Sequence, residues 1–303
     1  MNRSVTALAA ALVTALAISA CGSSDPLAPP APPAGGDTVT VGSADFPESR
    51  VLAEIYAQAL EAKGVKVARN LGLGNRELYL QALNRGEIDL VPEYTGNLLT
   101  VGFDPQATVT SSEDVYAALV KALPPTLTVL DMASAQDKDA VVLSRETATR
   151  LNARSIADLG PNCGQLVFGG PAEFRDRPYG LAGLERNYGC VFKEFRPLDT
   201  GTLTVSALKD GTVQAADIFT TSSAIAANDF VVLEDPKNNF VAQNVVPLIT
   251  TSKATDPVRQ TLNAVSAALT TEDLLALNVE LDSPAAPNPD VVAKEWLASK
   301  RLL

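Results

Sequence analysis

The feature that most constrains the fold is a regular alternation of strand and helix patterns that begins at Asp37. The segment "TVTVGSADF" is apolar at Val39 and Val41, which predicts a strand that ends in a turn. Pro47 suits the first turn of a helix, which we expect to run through Ala62 and to be closed by Gly64. Because "VKVARNL" then predicts a second strand, this part of the chain indicates a strand–helix–strand unit.

A further helix and strand follow at once. Asn75 is a suitable N-cap for a helix that Gly86 ends. The apolar face of this helix would consist of Leu78, Tyr79, Ala82 and Leu83. "EIDLV" predicts a third strand, which we expect to stop at Pro92 because proline cannot donate a hydrogen bond in a sheet.

A tyrosine-led turn, Tyr94-Thr95-Gly96, leaves from the carboxyl end of this third strand. Open α/β sheets bind their ligands at that end of their strands, so the position indicates a ligand cleft. The alternative is that Tyr94 packs against its own loop.

The remaining pattern continues to alternate and then becomes purely helical. Helices are predicted at 112–123, 145–152, 181–188, 203–210 and 222–228. Strands are predicted at 127–130, 140–143, 166–168, 213–219, 230–233 and 245–249. Over the last 50 residues only helices are expected, among them one that begins with a capping box of Thr270 and Asp273. This order suits two α/β lobes with the tail folded back on the first.

The N-terminal sequence is typical of an export signal. A basic start precedes an uncharged apolar run from Val5 to Ala20, which is short for a membrane span and ends in "ISAC". This ending resembles a lipobox, so we expect 1–20 to be a signal peptide and Cys21 to carry the lipid. Residues 21–36, rich in proline, would form a tether. An ordinary cleaved signal or a buried core helix are the alternatives.

Composition narrows the function. The chain carries 24 Lys and Arg against 35 Asp and Glu, so a nucleic-acid partner is not expected. The two remaining cysteines, Cys163 and Cys190, suggest a disulfide in an exported protein, worth about 3 to 4 kcal/mol in the chain-entropy model. Two unrelated buried thiols are the alternative. With no histidine, two cysteines make a poor metal site, and neither a metal nor a cofactor is expected.

The absence of histidine also excludes Ser-His-Asp and Cys-His catalysis. Ser206 and Lys209 have the spacing of a serine–lysine pair, but no accompanying motif is present, and we interpret them as a solvated helix face. The sequence therefore favours a binding protein over an enzyme. A hydrolase using that pair, and a surface adhesion or scaffold lipoprotein, are the competing classes.

Four segments carry a family resemblance: "EIDLVPEYTGN", "QLVFGGPAEFRDRPYGLAGLERNYG", "ALKDGTVQAADIFTTSSAI" and "FVVLEDPKNNF". They resemble, in order and spacing, the glycine betaine/choline-binding proteins of osmoprotectant ABC importers. The resemblance implies a two-lobed, type II periplasmic-binding-protein fold of class α/β, hinged by two crossovers. Lobe one would comprise 37–139 and 244–303, and lobe two 140–243.

The resemblance also implies a ligand site in which aromatic rings hold a quaternary ammonium group. Tyr94 keeps the family's ring, Phe219 falls where the family usually has tyrosine, and Arg177 matches an arginine that reaches the ligand's carboxylate. An ion pair of Arg177 with Glu173 or Asp176, and Phe219 as plain core, are the alternatives.

This sequence departs from the family pattern at several site positions. The departures are Ala140 and Gln243 in place of tyrosines, Ala44 in place of a lysine and Asn97 in place of a threonine. Tyr179 could supply a replacement ring, and Asn97, Gln243 and Asn244 would add amide groups to the cleft.

We therefore expect an extracytoplasmic receptor, monomeric and anchored to the outer face of the cell membrane by its lipid alone. It would close on glycine betaine, choline or a related quaternary ammonium solute and deliver it to the permease of an ABC importer. The depleted ring cage leaves a polyhydroxylated or aromatic solute as the alternative ligand.

Overall fold

The computed structural model describes residues 36–303. The predicted signal peptide, the lipidation site Cys21 and the tether up to residue 35 lie outside the described residues. Within residues 36–303, no helix combines the length and the apolar character that crossing a membrane requires.

Ten strands and twelve helices alternate along the described chain. The strands are β1 (Thr38–Gly42), β2 (Lys66–Asn70), β3 (Leu90–Tyr94), β4 (Leu127–Val129), β5 (Val141–Leu143), β6 (Val167–Pro171), β7 (Glu194–Leu198), β8 (Ala215–Asp217), β9 (Val231–Val232) and β10 (Val245–Thr250). The helices are α1 (Pro47–Ala62), α2 (Arg76–Asn84), α3 (Thr95–Asn97), α4 (Ser112–Ala122), α5 (Arg145–Leu151), α6 (Ile156–Leu159), α7 (Leu181–Tyr188), α8 (Thr202–Lys209), α9 (Ser223–Ala227), α10 (Asp256–Ala268), α11 (Thr271–Leu281) and α12 (Pro289–Lys300).

The strands form two mixed sheets, and each sheet is the centre of one lobe. The first has the order β2-β1-β3-β10-β4, with β1 parallel to β2 and β3, and β10 antiparallel to β3 and β4. The second has the order β7-β6-β8-β5-β9, with β6 parallel to β7 and β8. We call the first sheet with its helices the first lobe, and the second sheet with its helices the second lobe.

Two crossovers connect the lobes. The chain leaves the first lobe between β4 and β5 and returns between β9 and β10. Gln136 of one crossover pairs with Asn244 of the other, and the amide of Asp137 donates to the carbonyl of Gln243 at 3.2 Å. The two-lobed α/β fold with two crossovers is thereby confirmed.

Long helices with buried apolar faces cover the first sheet. Helix α1 buries one face against the first sheet and the opposite face against the C-terminal helices, through residues such as Leu52, Ile55 and Leu60. Trp296 and Leu297 of α12 belong to the same core. The prediction that the tail folds back on the first lobe is therefore confirmed, as is the capping box of Thr270 and Asp273.

The structure corrects three local predictions. Strand β3 does not stop at Pro92 but continues to Tyr94. Pro92 lies opposite Pro247 of β10, and β3 pairs with β1 at Leu90, so the missing N–H of Pro92 takes no bond from the sheet. Tyr94 does not begin a turn, because α3 starts directly at Thr95 and continues as a π-helical segment over Leu98–Phe103.

The third correction concerns the apolar face of α2. Tyr79, Ala82 and Leu83 are buried, whereas Leu78 is 52% exposed. The helix is nine residues long and its N-cap Asn75 accepts from the amide of Leu78, as expected. Leu78 therefore lies at the edge of the buried face, next to Gly74.

In the second lobe, a disulfide joins Cys163 and Cys190, whose Cα atoms are 5.3 Å apart. It connects the segment before β6 to the segment after α7, and both cysteines are fully enclosed in the core of this lobe. Strand β7 at the edge of the same sheet has no counterpart among the sequence predictions, because "EFRPL" contains charged residues and a proline.

Candidate functional site

A cleft of about 400 Å³ lies between the two lobes, at the carboxyl ends of β1, β3, β6 and β8. Both lobes and the crossover that precedes β5 contribute to its wall. This is the edge at which open α/β sheets bind ligands. Its volume is in the range of small-molecule sites.

Three aromatic rings meet in this cleft, which we call the aromatic cleft. Phe46 follows β1 and precedes α1, Tyr94 ends β3, and Phe219 follows β8. The ring centroids of Phe46 and Phe219 are 5.6 Å apart, and those of Phe46 and Tyr94 are 6.3 Å apart. Because Phe219 belongs to the second lobe and the other two rings to the first, the cluster exists only when the lobes approach each other.

The Tyr94 ring is held by its hydroxyl group. The phenol donates a hydrogen bond of 2.5 Å to Oε1 of Glu48 in α1. The Oε2 atom of Glu48 accepts from the hydroxyl of Thr221 and from Nδ2 of Asn278, both at 2.6 Å. Burial raises the pKa of Tyr94, so the phenol stays neutral and keeps its role as donor.

Asn97 connects the lobes beside these rings. Its Nδ2 atom donates to Oδ2 of Asp139 at 2.9 Å and to the hydroxyl of Tyr179 at 3.1 Å. The backbone N–H of Asn97 donates to Oε1 of Gln243 at 2.9 Å. Gln243 is only 1% exposed, so it orients Asn97 from behind the cleft wall.

Two guanidinium groups line the cleft, and each already has a carboxylate partner. Arg76 donates from Nε at 2.9 Å and from a terminal nitrogen at 3.0 Å to the fully buried Glu93. Arg177 of the second lobe makes a two-pronged ion pair with Glu77 of the first lobe, not with Glu173 or Asp176. Arg177 therefore bridges the lobes in this structure.

Two buried carboxyl groups in the cleft lack such partners. Asp137 and Asp139 are each 6% exposed, and no Lys or Arg nitrogen of the described residues lies within 4 Å of their oxygens. Burial raises the pKa of both groups, and for Asp137 the neighbouring Glu48 raises it further. Glu93 and Glu77 neutralise the charges of Arg76 and Arg177, so among the described residues no positive charge in the cleft offsets the carboxyl groups of Asp137 and Asp139.

The structure brings together some of the residues singled out in the sequence. Tyr94, Asn97, Arg177, Tyr179 and Phe219 line the aromatic cleft.

Three other candidates lie elsewhere. Ala140 packs in a core cluster of the second lobe with Val142 and Ala216. Gln243 and Asn244 are buried in the returning crossover, where the side chain of Asn244 donates to the carbonyl of Ala133 at 2.8 Å.

Sequence reasoning missed Phe46, Arg76, Asp137 and Asp139. The same argument that drew attention to Tyr94 would have found Phe46, because "SADF" also follows a predicted strand. Asp137 and Asp139 lie in a crossover with no local pattern, so only the tertiary structure places them in the cleft.

Two α/β lobes that enclose a small-molecule cleft and are joined by two crossovers define a hinged solute-binding protein. Residues 37–299 match the model of the family described as the substrate binding domain of ABC-type glycine betaine transport systems, and the chain belongs to this family. It is thus a substrate-binding receptor of an ABC importer, and its family does not favour the polyhydroxylated alternative.

Relatives agree with this assignment. The chain is 29% identical over 285 residues to a glycine-betaine-binding protein of Pseudomonas aeruginosa, with 89% of this chain and 90% of the relative covered. It is 24% identical to an ergothioneine transport permease/ergothioneine binding protein of Helicobacter pylori; 82% of this chain matches, and it spans 45% of that longer protein. A solved structure described as a glycine betaine/carnitine/choline ABC transporter has the same fold, with a TM-score of 0.71, 23% identity, and 87% and 99% of the two chains covered.

Proposed function

We propose that the aromatic cleft binds a small quaternary ammonium solute, either choline, glycine betaine or a close relative, and presents it to the importer's permease. The observation that carries this proposal is the cluster of Phe46, Tyr94 and Phe219 with centroid separations of 5.6 and 6.3 Å. A methylated ammonium group is attracted to the faces of such rings by about 1 to 2 kcal/mol for each desolvated ring. It cannot donate hydrogen bonds, so rings suit it better than carboxylates do.

The charges of the cleft favour a ligand with net positive charge. Asp137 and Asp139 would balance an ammonium group, and neither has a Lys or Arg nitrogen of residues 36–303 within 4 Å. A ligand carboxylate would have to compete with Glu77 for Arg177, which costs part of an existing two-pronged ion pair. We therefore rank choline-like cations above glycine betaine.

The site residues follow from this arrangement. Tyr94 and Phe219, with Phe46, would contact the methyl groups, while Asn97 and Tyr179 would close the wall through their mutual hydrogen bond. Gln243 would act through Asn97, and we assign Asn244 and Ala140 to the support of the site. Residues 37–139 with 244–303, and residues 140–243, would move as two bodies when the cleft closes.

We further propose that the receptor works outside the cytoplasm, as a monomer held to the outer face of the cell membrane through a lipid on Cys21. The sequence pattern at Val5 to Cys21 supports the anchor. We propose no catalytic activity, because the chain lacks histidine and both Ser206 and Lys209 are exposed on α8.

Isothermal titration of the chain from residue 22 onward tests the proposal. Choline, glycine betaine and carnitine would be titrated separately, with a flavonoid-type glycoside as the comparison ligand. We expect saturable binding of choline with one molecule per chain and weaker binding of glycine betaine. Absence of heat with all three quaternary amines, from protein that melts cooperatively, would contradict the proposed ligand class.

A further inference from the structure

A second cavity of about 430 Å³ lies on the other side of the Phe46–Phe219 ring contact. It is formed by the start of α1 in the first lobe and by α8, α9 and the end of β8 in the second. The two rings, together with Asp137 and Thr200, line both spaces, so they form the partition between them. Its volume also falls within the range of small-molecule sites.

The wall of this second cavity is acidic. Four of its residues carry a carboxyl group, namely Glu48, Asp137, Asp217 and Asp282. Among the described residues that line it, none is a lysine or an arginine. Hydroxyl and amide groups, including those of Thr204, Thr221, Asn228 and Asn278, make up most of the remaining polar wall. We call this space the acidic cavity.

Asp217 distinguishes the acidic cavity from a chance cluster of surface acids. It is only 3% exposed, and neither of its carboxylate oxygens accepts a hydrogen bond from an N–H or O–H group of the described residues. Buried carboxyl groups are nearly always hydrogen-bonded or paired, because an unpaired one loses the stabilisation that water gives it. An unpartnered buried carboxyl group in a cavity wall therefore indicates a missing partner.

In the empty cavity, a raised pKa reduces the cost of burying the unpaired carboxyl group of Asp217. Burial raises the pKa of Asp217, and the adjacent Asp139 raises it further. This raised pKa favours the neutral carboxyl group in the empty cavity, whereas a bound cation would favour the carboxylate.

The chemistry of the wall selects the kind of cation. Within residues 36–303, no group of three or more acidic, histidine or cysteine side chains has an arrangement that could hold a metal ion. An organic ammonium group with N–H bonds can donate to carboxylates and hydroxyls at once, and such charge-assisted hydrogen bonds are the strong ones. A fully methylated ammonium group has no N–H to donate to this wall, so it suits the aromatic rings of the cleft better.

We propose that the acidic cavity is a second binding site, which takes a protonated primary or secondary amine, with Asp217 and the rim residue Asp282 as its anionic contacts. The site is separate from the quaternary ammonium site and does not rest on the function proposed above. A receptor with both sites would hold a methylated cation and an N–H-bearing cation on opposite faces of one pair of rings.

Calorimetric titration with 1,4-diaminobutane tests this site. The chain from residue 22 would be titrated alone and again after saturation with choline. We expect saturable binding with one diamine per chain and a dissociation constant that choline changes by less than threefold. Failure to saturate at millimolar diamine, or displacement of the diamine by choline, would overturn the proposal of a separate site.

Variants locate the site. Asp217→Asn has nearly the same shape, and we expect it to weaken diamine binding at least tenfold while choline binding stays within twofold of the parent protein. Asp282 is exposed at the rim of the cavity, so Asp282→Asn should fold normally even if Asp217→Asn does not. We expect Asp282→Asn to weaken diamine binding about threefold. Glu146→Gln, an exposed change of the same charge on α5, is the matched control and should change neither ligand.

The outcomes separate the two proposals. Unchanged diamine affinity in folded Asp217→Asn and in Asp282→Asn would overturn the second site even if choline binds as expected. Diamine binding that depends on Asp217 would support it even if choline fails to bind.

Discussion

The aromatic cleft and the acidic cavity share a wall but differ in charge. The cleft has two guanidinium groups, each in an ion pair, and no cation of the described residues pairs with Asp137 or Asp139. The cavity has carboxyl groups and, in the described part of the chain, no lysine or arginine in its wall. Both spaces are bounded by Phe46 and Phe219. The rings therefore determine where a ligand can lie, whereas the carboxylates without a cationic partner determine which kind of ligand binds.

The rings provide the largest expected effect. In the double variant Phe46→Leu/Phe219→Leu the apolar volume is largely kept but two ring faces are lost. At about 1 to 2 kcal/mol per ring, choline affinity should fall roughly 30- to 1000-fold. The diamine should lose less, because its contacts are carboxylates. Calorimetry of both ligands measures the contrast.

Phe103→Leu is the matched control, since Phe103 packs in the first lobe away from both spaces. Equal losses of choline and diamine affinity in the double variant would mean that the two spaces are not chemically distinct.

The second prediction concerns Arg177, which would meet a ligand carboxylate if it left Glu77. Arg177→Gln should weaken glycine betaine about 10- to 100-fold, the range for a hydrogen bond to a charged group. Choline has no carboxylate and should change less than threefold. Titration of both ligands into this variant gives the ratio.

Arg175→Gln is the matched control, because Arg175 is exposed and stacks on Phe195 outside the cleft. If choline and glycine betaine lose affinity by the same factor in Arg177→Gln, Arg177 stabilises the closed lobes and does not recognise the carboxylate.

The third prediction uses pH. Four carboxyl groups around the shared wall have raised pKa values, chiefly because they are buried: Glu48, Asp137, Asp139 and Asp217. A raised pKa means that the folded empty protein binds more protons than the unfolded chain between the ordinary and the raised pKa. Stability should therefore increase as pH falls through that window.

Thermal melting of the empty protein between pH 8 and pH 5 measures this effect. We expect the midpoint to rise by several degrees on acidification, and the rise to be smaller in Asp217→Asn. Because the chain has no histidine, no imidazole titration overlaps with that of the buried carboxyl groups in this range. A midpoint that falls steadily from pH 8 to pH 5 would show that these groups are ionised and paired in the folded state.

The smallest expected effect concerns the tie between the lobes at the acidic cavity. Thr221→Val removes the hydroxyl that donates to Glu48 at 2.6 Å. The loss should be about 0.5 to 1.5 kcal/mol of unfolding free energy, with choline affinity within threefold of the parent. Urea unfolding measures it, and Thr202→Val, an exposed change in the same wall, should have a smaller effect. A larger loss in Thr202→Val would contradict the assigned role of Thr221.

Much of the fold was predictable because its helices carry long apolar patterns with clear ends. Helix α1 has the predicted bounds, from Pro47 to Ala62, and α7 also has the predicted bounds. The errors fall where tertiary pairing overrides local preference. Pro92 is tolerated within β3 because β1 pairs with β3 only at Leu90, so no neighbouring strand needs the N–H that proline lacks, an arrangement that no local pattern reveals.

The candidate site was predictable where it follows strand ends and unpredictable where it depends on the crossovers. Tyr94 and Phe219 lie at strand ends and line the cleft. The buried Asp137 and Asp139 reach it only because one crossover passes between the lobes. The ion-pair partner of Arg177 could not be predicted from the sequence, because Glu77 lies 100 residues away along the chain.

The most direct test of the central claim is a crystal structure of the protein grown with arsenocholine, in which arsenic replaces the quaternary nitrogen. An anomalous difference map locates the arsenic atom without reference to the rest of the ligand. We expect a single peak in the aromatic cleft, within about 6 Å of the Tyr94 and Phe219 ring centroids. A peak in the acidic cavity beside Asp217 would contradict it.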